Sequence, residues 1–241
     1  MKLTTKPGMQ SEIFVPITPK AIFTELKKPL NECKVAFITA GGIHIKNQTP
    51  FNTSGDFSYR AIPFDTPSSE LMVTHGGFDN SDINKDPNAM LPIDRLHELV
   101  DEGFIGSLSK ETYTFMGGGG NVEKFTNETG PEIAKKLKEQ GVDIVLCTGG
   151  CGTCHRSATI VTRCCEEAGM SCCVIAALPP IARQQGAPRI TAPHVPIGSN
   201  AGEPNNVEMQ TAIVKESLEW VRDCPSFNAT KVLPYEYRHN V

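Results

Sequence analysis

No long hydrophobic run occurs in the 241-residue sequence: its longest apolar stretch, near Val174 to Ala182, is interrupted by Pro179-Pro180. A membrane-spanning helix needs about 20 apolar residues, so no membrane association is expected. The beginning, Met1-Lys-Leu-Thr-Thr-Lys-Pro-Gly8, lacks the apolar core of a secretory signal, and a cytoplasmic location follows as an expectation. Charge of one sign is also lacking: the formal net charge is −4, which gives neither nucleic acid nor an anionic membrane a reason to bind. A second Cys-x-x-Cys and any His-x-x-x-His are missing too, so the sequence does not spell out a four-ligand zinc site. The glycines 117–120 are not followed by Lys-Ser/Thr and do not fit the dinucleotide spacing. They predict a linker or mobile loop rather than a phosphate cradle.

What is present in quantity is cysteine, nine of them, including the adjacent pairs Cys164-Cys165 and Cys172-Cys173, which cannot readily bridge each other. An oxidising compartment would scramble such a set, so a reducing cytoplasm fits. With 39% hydrophobic and 21% charged residues the chain has the composition of a soluble globular protein. Its length suits one large domain or two small lobes.

Strand and helix signals alternate. Strands are expected at Cys33–Thr39, Tyr59–Phe64, Leu71–Thr74, Val142–Thr148 and Cys172–Leu178, and helices at Pro92–Asp101, Pro131–Gln140, Cys151–Ala168 and Val207–Val221. Such alternation predicts an α/β fold, a largely parallel sheet flanked by helices. The chain divides into an N-terminal arm (1–32) and two similar lobes (33–120 and 121–241), or else forms one continuous domain. In such folds ligands collect at the carboxyl ends of the strands. Gly41-Gly42, His75-Gly76-Gly77 and Gly149-Gly150-Cys151 each follow a strand signal, so one cleft holding all three is the expectation.

Chemistry concentrates at Cys151-Gly-Thr-Cys154, between a strand and a helix. Free N–H groups at a helix start favour a thiolate over a thiol, which makes Cys151 the acidic, reactive member, with a pKa brought down from about 8.5 into the range of roughly 3.5–7.5. Cys154 can close a small disulfide with it, to be re-reduced by thiol–disulfide exchange. Two competing readings are half of a zinc site, completed by His155 or the other cysteines, and a pair of ordinary buried cysteines, a role that suits Cys147 inside its apolar strand.

The stretches Cys147-Thr-Gly-Gly-Cys-Gly-Thr-Cys154, Thr74-His-Gly-Gly-Phe-Asp79, Asp86-Pro-Asn-Ala-Met-Leu-Pro-Ile-Asp94 and Gly103-Phe-Ile-Gly-Ser-Leu108 together resemble the glycine/sarcosine/betaine/D-proline reductase selenoprotein family, from about Val35 to Val221. Length and the Gly150–Ser157 context look most like the D-proline branch, with the glycine, sarcosine and betaine branches as the alternative. The resemblance implies an oxidoreductase subunit acting on the C–N bond of an amino acid, opening D-proline to 5-aminovalerate. It implies selenocysteine at position 151, where this sequence has cysteine, and a partner subunit bearing a pyruvoyl group to which the substrate amine would condense. Residue 151 would then attack the α-carbon and Cys154 would resolve, leaving a bond for a dithiol or electron-donor protein to reduce. No cofactor is required on this chain, and no metal. A thioredoxin-like electron carrier and a zinc-stabilised interaction module are the remaining alternatives.

Supporting residues follow from side-chain chemistry. His75, flanked by glycines, is the acid–base candidate, and Asp79 either pairs with it or caps the turn. His155 either moves protons and stabilises the thiolate or faces solvent. Arg156 either grips a substrate carboxylate or makes an ordinary ion pair. Thr153 and Ser157 can hydrogen-bond sulfur or cap helix-start amides, and Asp86-Pro87-Asn88 is expected to fix a loop.

Overall fold

β1 (Lys34–Thr39) is buried on both faces: Val35 and Phe37 point into one core, Ala36 and Ile38 into the other. A strand apolar on both faces belongs in the middle of a parallel sheet covered on both sides, and that is where the computed structural model, which describes residues 20–117 and 121–237, places it. The glycines 118–120 and arm residues 1–19, on which the loop and arm expectations bear, lie outside the described residues.

The remaining strands are β2 (Ile43–Ile45), β3 (Tyr59–Pro63), β4 (Leu71–Val73), β5 (Ser107–Leu108), β6 (Glu111–Phe115), β7 (Ile144–Thr148), β8 (Ser171–Ile175), β9 (Arg189–His194) and β10 (Ala229–Glu236). Eight of the ten form one sheet in the order β10-β9-β8-β7-β1-β6-β3, with β5 pairing the first half of β1. Every pairing in it is parallel except β3 with β6. The fold is therefore α/β with a mostly parallel sheet. Strands from before and after residue 120 share that sheet, since β1 hydrogen-bonds both β6 and β7.

The helices are α1 (Ser81–Lys85), α2 (Ile93–Asp101), α3 (Val122–Lys124), α4 (Gly130–Glu139), α5 (Gly152–Glu167), α6 (Pro179–Gln185) and α7 (Val207–Asp223). A π-helical turn, Phe125–Thr129, joins α3 to α4, so the expected helix at 131–140 is the second half of a longer one capped by Asn121. The α2 and α7 side of the sheet holds Phe37, Leu146, Leu96 and Leu218 in one core. The α4 and α5 side holds Ile38, Val145, Ile133 and Val161 in another. A two-stranded ribbon, β2 antiparallel to β4, stands apart from the main sheet and delivers the chain to His75. The helix breaks fall where predicted: Gly103 and Gly141 take φ of +70° and +74°, a region open to glycine.

Candidate functional site

The site begins with how β7 ends. Its last residue, Thr148, is followed by Gly149, Gly150 and Cys151, and Cys151 is the extended residue capping α5. Side chains at the two glycines would collide with their surroundings: a Cβ on Gly149 would stand 2.7 Å from the Cα of His155, and one on Gly150 2.6 Å from the ring of Phe78. The glycines therefore let the turn fold tightly between the first turn of α5 and the loop after β4. Gly42 binds that same loop, its carbonyl accepting from Thr74 N at 2.8 Å. The three glycine-flanked strand ends meet, as the alternation predicted.

At the meeting point the two sulfurs are 2.9 Å apart, and the structure records both thiols free. Cys151 is half-buried and Cys154 fully buried. His75 reaches Cys154, with Nε2 2.8 Å from its sulfur and 3.1 Å from Met116 O. Its Nδ1 accepts from Gly77 N at 2.9 Å, which assigns the proton to Nε2 and makes that nitrogen a donor. The Cys154 sulfur stands 2.9 Å from Met116 O as well as from Cys151, so its single S–H serves one of the two at a time, and Thr153 Oγ1 lies 3.0 Å from the Cys151 sulfur.

These bonds split the acidities. Hydrogen bonding from the Cys154 thiol, joined by His75 and Thr153 against the opposing effect of burial, brings Cys151 down to about 3. Burial, with the neighbouring Cys151 anion, pushes Cys154 well above its usual value. At neutral pH the pair is a thiolate at 151 beside a thiol at 154. The helix start is the expected cause from sequence; the direct hydrogen bonds of Cys154 outweigh it.

The other predicted residues take distinct places. His155 is fully buried behind Cys151, its Nδ1 3.0 Å from Cys151 O and its Nε2 accepting from Leu178 N at 3.1 Å; burial lowers its pKa, so it is neutral. It is bonded to the backbone that positions the sulfur, and it does not face solvent. Arg156 lies on the same helix, with Nε donating to Gln185 Oε1 on α6 at 3.0 Å. Ser157 bonds Gly117 O and Thr153 O. Asp79 is exposed and accepts from Ser81 N and Oγ at 2.9 and 3.1 Å. The structure thus brings Cys151, Cys154, His75 and Thr153 together and leaves Asp79 on the rim.

Three contributors were not among the site residues expected from the sequence. The Met116 carbonyl anchors both His75 and Cys154, and a backbone oxygen carries no residue signature; its proximity to the glycine run was the available clue. Phe78 packs against His75 with ring centroids 4.5 Å apart and the rings tilted by 46°. Gly77 leaves open the face of the reactive sulfur, since a Cβ there would lie 3.2 Å from Cys151 Sγ and 2.8 Å from His75 Cε1.

Among the described residues, His75, Cys151 and Cys154 also form the one cluster that could hold a metal ion, their ligand atoms within 4.8 Å of one another. Two thiolates bonded to one tetrahedral zinc at about 2.3 Å would stand roughly 3.8 Å apart. At 2.9 Å the sulfurs are instead set for chemistry with each other.

Fold and site together define an α/β protein with an acidic cysteine at a helix start and a buried second cysteine against it. Residues 2–150 match the model of the family described as glycine/sarcosine/betaine reductase selenoprotein B. The chain is 55% identical over 235 residues to D-proline reductase subunit gamma of Acetoanaerobium sticklandii, covering 98% of this chain and 97% of that one. It is 33% identical to glycine reductase complex component B subunit gamma of Symbiobacterium thermophilum, over 90% of this chain and 51% of the relative. To sarcosine reductase complex component B subunit beta of Peptoclostridium acidaminophilum it is 30% identical, over 81% and 45%. The chain belongs to the selenoprotein B family and is a homologue of the D-proline reductase gamma subunit. No solved structure matches it, and no helix of the described residues is long and apolar enough to cross a membrane.

Proposed function

We propose that this chain is the subunit of a D-proline reductase that supplies the nucleophile and the reducing equivalents for opening the substrate ring. The observation that carries the proposal is the pair itself, two sulfurs 2.9 Å apart with the outer one held as the anion and the inner one as the thiol. The near full-length identity to a D-proline reductase subunit supports the substrate.

In the first step the Cys151 thiolate attacks the α-carbon of D-proline, a sulfur–carbon bond forms, and the ring C–N bond breaks with its electron pair going to nitrogen, which takes a proton. In the second, the Cys154 sulfur attacks Cys151 Sγ. The sulfur–carbon bond breaks, and its electron pair goes to the α-carbon, which takes up the proton Cys154 gives away. The products are 5-aminovalerate and a Cys151–Cys154 disulfide, so the two electrons come from the dithiol, and an external dithiol or electron-donor protein restores it. A pyruvoyl group on a partner subunit would supply an electrophilic carbonyl for the substrate amine. The Nε2–H of His75 donates to Cys154 as that sulfur becomes anionic, which makes His75 a hydrogen-bond donor to the resolving sulfur. Its Nδ1 is already engaged with Gly77, so it is not placed to act as a base at Nε2. His155 holds the Cys151 backbone.

Selenium at position 151 fits this environment, because bonds that favour a thiolate favour the more acidic selenolate equally. Intact mass of the protein from its native source tests that assignment. The function is tested by assaying 5-aminovalerate formation with the partner subunit and a dithiol, comparing selenocysteine, cysteine and alanine at 151. Activity is expected in the first two only. Product formation by the Cys151→Ala form, or one tightly bound zinc per active chain, overturns the mechanism.

A further inference from the structure

The nine cysteines are not equally open to oxidation. Burial pushes the pKa of eight of them up, so near neutrality they are thiols, which are poor nucleophiles. Cys151 is the exception, a half-buried sulfur on which two side-chain donors converge, the Cys154 thiol at 2.9 Å and the Thr153 hydroxyl at 3.0 Å. Backbone without a side chain stands over it. A Cβ on Gly77 would lie 3.2 Å from Sγ, and the hydrogen that glycine carries in its place leaves room for a reactant of a few atoms.

Ring opening turns this sulfur on carbon; the same surroundings equip it for oxygen. An acidic, accessible thiolate poised next to a resolving thiol passes an electron pair to a peroxide and stops at the disulfide, short of sulfinic acid. Two features set the pair apart from a merely oxidisable cysteine. The resolving sulfur already stands 2.9 Å away, against about 2.05 Å in a disulfide, so closure requires no unwinding of α5 and is favoured over a second oxidation. The Thr153 hydroxyl lies beside the attacking sulfur, and a hydroxyl can turn from the thiolate to a peroxide oxygen as the sulfur gives up its charge.

We propose that this chain has a second activity at the same pair, the two-electron reduction of hydrogen peroxide to water at the expense of a dithiol. The Cys151 thiolate attacks one peroxide oxygen. A sulfur–oxygen bond forms, and the oxygen–oxygen bond breaks with its electron pair going to the departing hydroxide, which takes the Cys154 proton and leaves as water. Cys154, now the anion and held by the Nε2–H of His75, attacks Cys151 Sγ. The sulfur–sulfur bond forms, the sulfur–oxygen bond breaks, and the second hydroxide takes a proton from solvent. One peroxide has become two waters, and an external dithiol reduces the Cys151–Cys154 disulfide, becoming a disulfide itself.

The activity shares its sulfurs with ring opening but needs neither D-proline nor a partner subunit, so the two stand or fall separately. Hydrogen peroxide consumption by the chain with dithiothreitol is followed near neutral pH, and the oxidation rate of Cys151 is set against that of a free cysteine thiolate. A rate constant about 100-fold higher is expected, the scale a positioned proton donor gives, with a product whose mass shows one disulfide. Thr153→Val should slow the peroxide reaction about ten-fold more than it slows iodoacetamide alkylation of Cys151, and Thr153→Ser should restore it. Cys154→Ser should stop turnover and leave a sulfenic acid at position 151 that dimedone captures. A rate constant no higher than that of the free thiolate, an equal loss of both reactions in Thr153→Val, or consumption that survives Cys151→Ala overturns the proposal. A chain that reduces peroxide but never forms 5-aminovalerate with its partner subunit keeps this activity and loses ring opening. One that forms 5-aminovalerate and leaves peroxide untouched keeps ring opening and loses this activity.

Discussion

Cys151 and Cys154 are the same residue type on the same turn of helix, and yet one is held as an anion while the other is not. Burial works against the anion at both positions, and the difference is made by who donates to whom. Since hydrogen bonding from Cys154 is the largest cause of the Cys151 shift, Cys154→Ala should raise the Cys151 pKa from about 3 toward the ordinary thiol range. Iodoacetamide alkylation followed from pH 3 to 9 reads this directly: a flat profile above about pH 4 in the unchanged chain, a rising one near neutrality in the variant. His75→Ala should leave most of the thiolate in place, since the Cys154 and Thr153 bonds remain, but slow closure of the disulfide, a separation visible by stopped-flow thiol titration. Gly77→Ala should slow alkylation without moving its pH profile, because its Cβ would crowd Sγ. At this scale the sequence was readable for side chains that announce their chemistry, the two cysteines and the glycine-flanked His75. It was silent on Met116, whose contribution is a carbonyl, and on the tautomer of His75, which a backbone amide sets.

Elements are tied together by buried polar groups that bond one another. Asp86 accepts from Asn88, Asn205 and Gln210, joining the turn after α1 to α7, and Gln210 in turn accepts from Arg95 on α2. Burial alone would raise the Asp86 pKa, but the bonds from Gln210, Asn205 and Asn88 outweigh it and hold the carboxyl below the usual range. A depressed carboxylate adds stability that is fully present above its unfolded pKa of about 3.9 and is lost as pH falls through the lower folded value. Asp86→Asn should therefore lower the melting temperature at pH 7, costing about 1–3 kcal/mol, and narrow the gap between melting at pH 7 and pH 3. The Asp-Pro-Asn turn was legible because its residue types have local uses. β6 and β9 were not. Glu111-Thr-Tyr-Thr-Phe115 is only five residues long and holds no aliphatic residue, and Arg189-Ile-Thr-Ala-Pro-His194 contains a proline that reads as a break. Both are strands because neighbours supply ladder partners, a tertiary cause that local pattern does not record.

For the molecule as a whole, alternation sufficed to predict the fold class and the end of the sheet that holds the site. Strand order and the antiparallel β3 depend on which surfaces fit, and no local signal carries that. The arm shows the same dependence: Thr24 binds through its backbone to Glu166 and Arg189, a fully buried ion pair with N–O at 3.0 Å, and Phe23 packs on the Arg189 guanidinium. Removing one member leaves the other charge buried alone, so Glu166→Ala should cost about 3–5 kcal/mol. A lower denaturant midpoint and faster proteolysis near residue 24 would show it.

The position of β1 also has a consequence in time. It emerges early in synthesis, but its ladder partners end only at residue 108 for β5, residue 115 for β6 and residue 148 for β7. Until β7 is made, an apolar strand that belongs at the centre has ladder partners on one side only, and long-range parallel pairing is intrinsically slow. Cys151 follows β7 by three residues, so the reactive sulfur is made before Cys154, His155 and Leu178, the groups that hold it and its backbone.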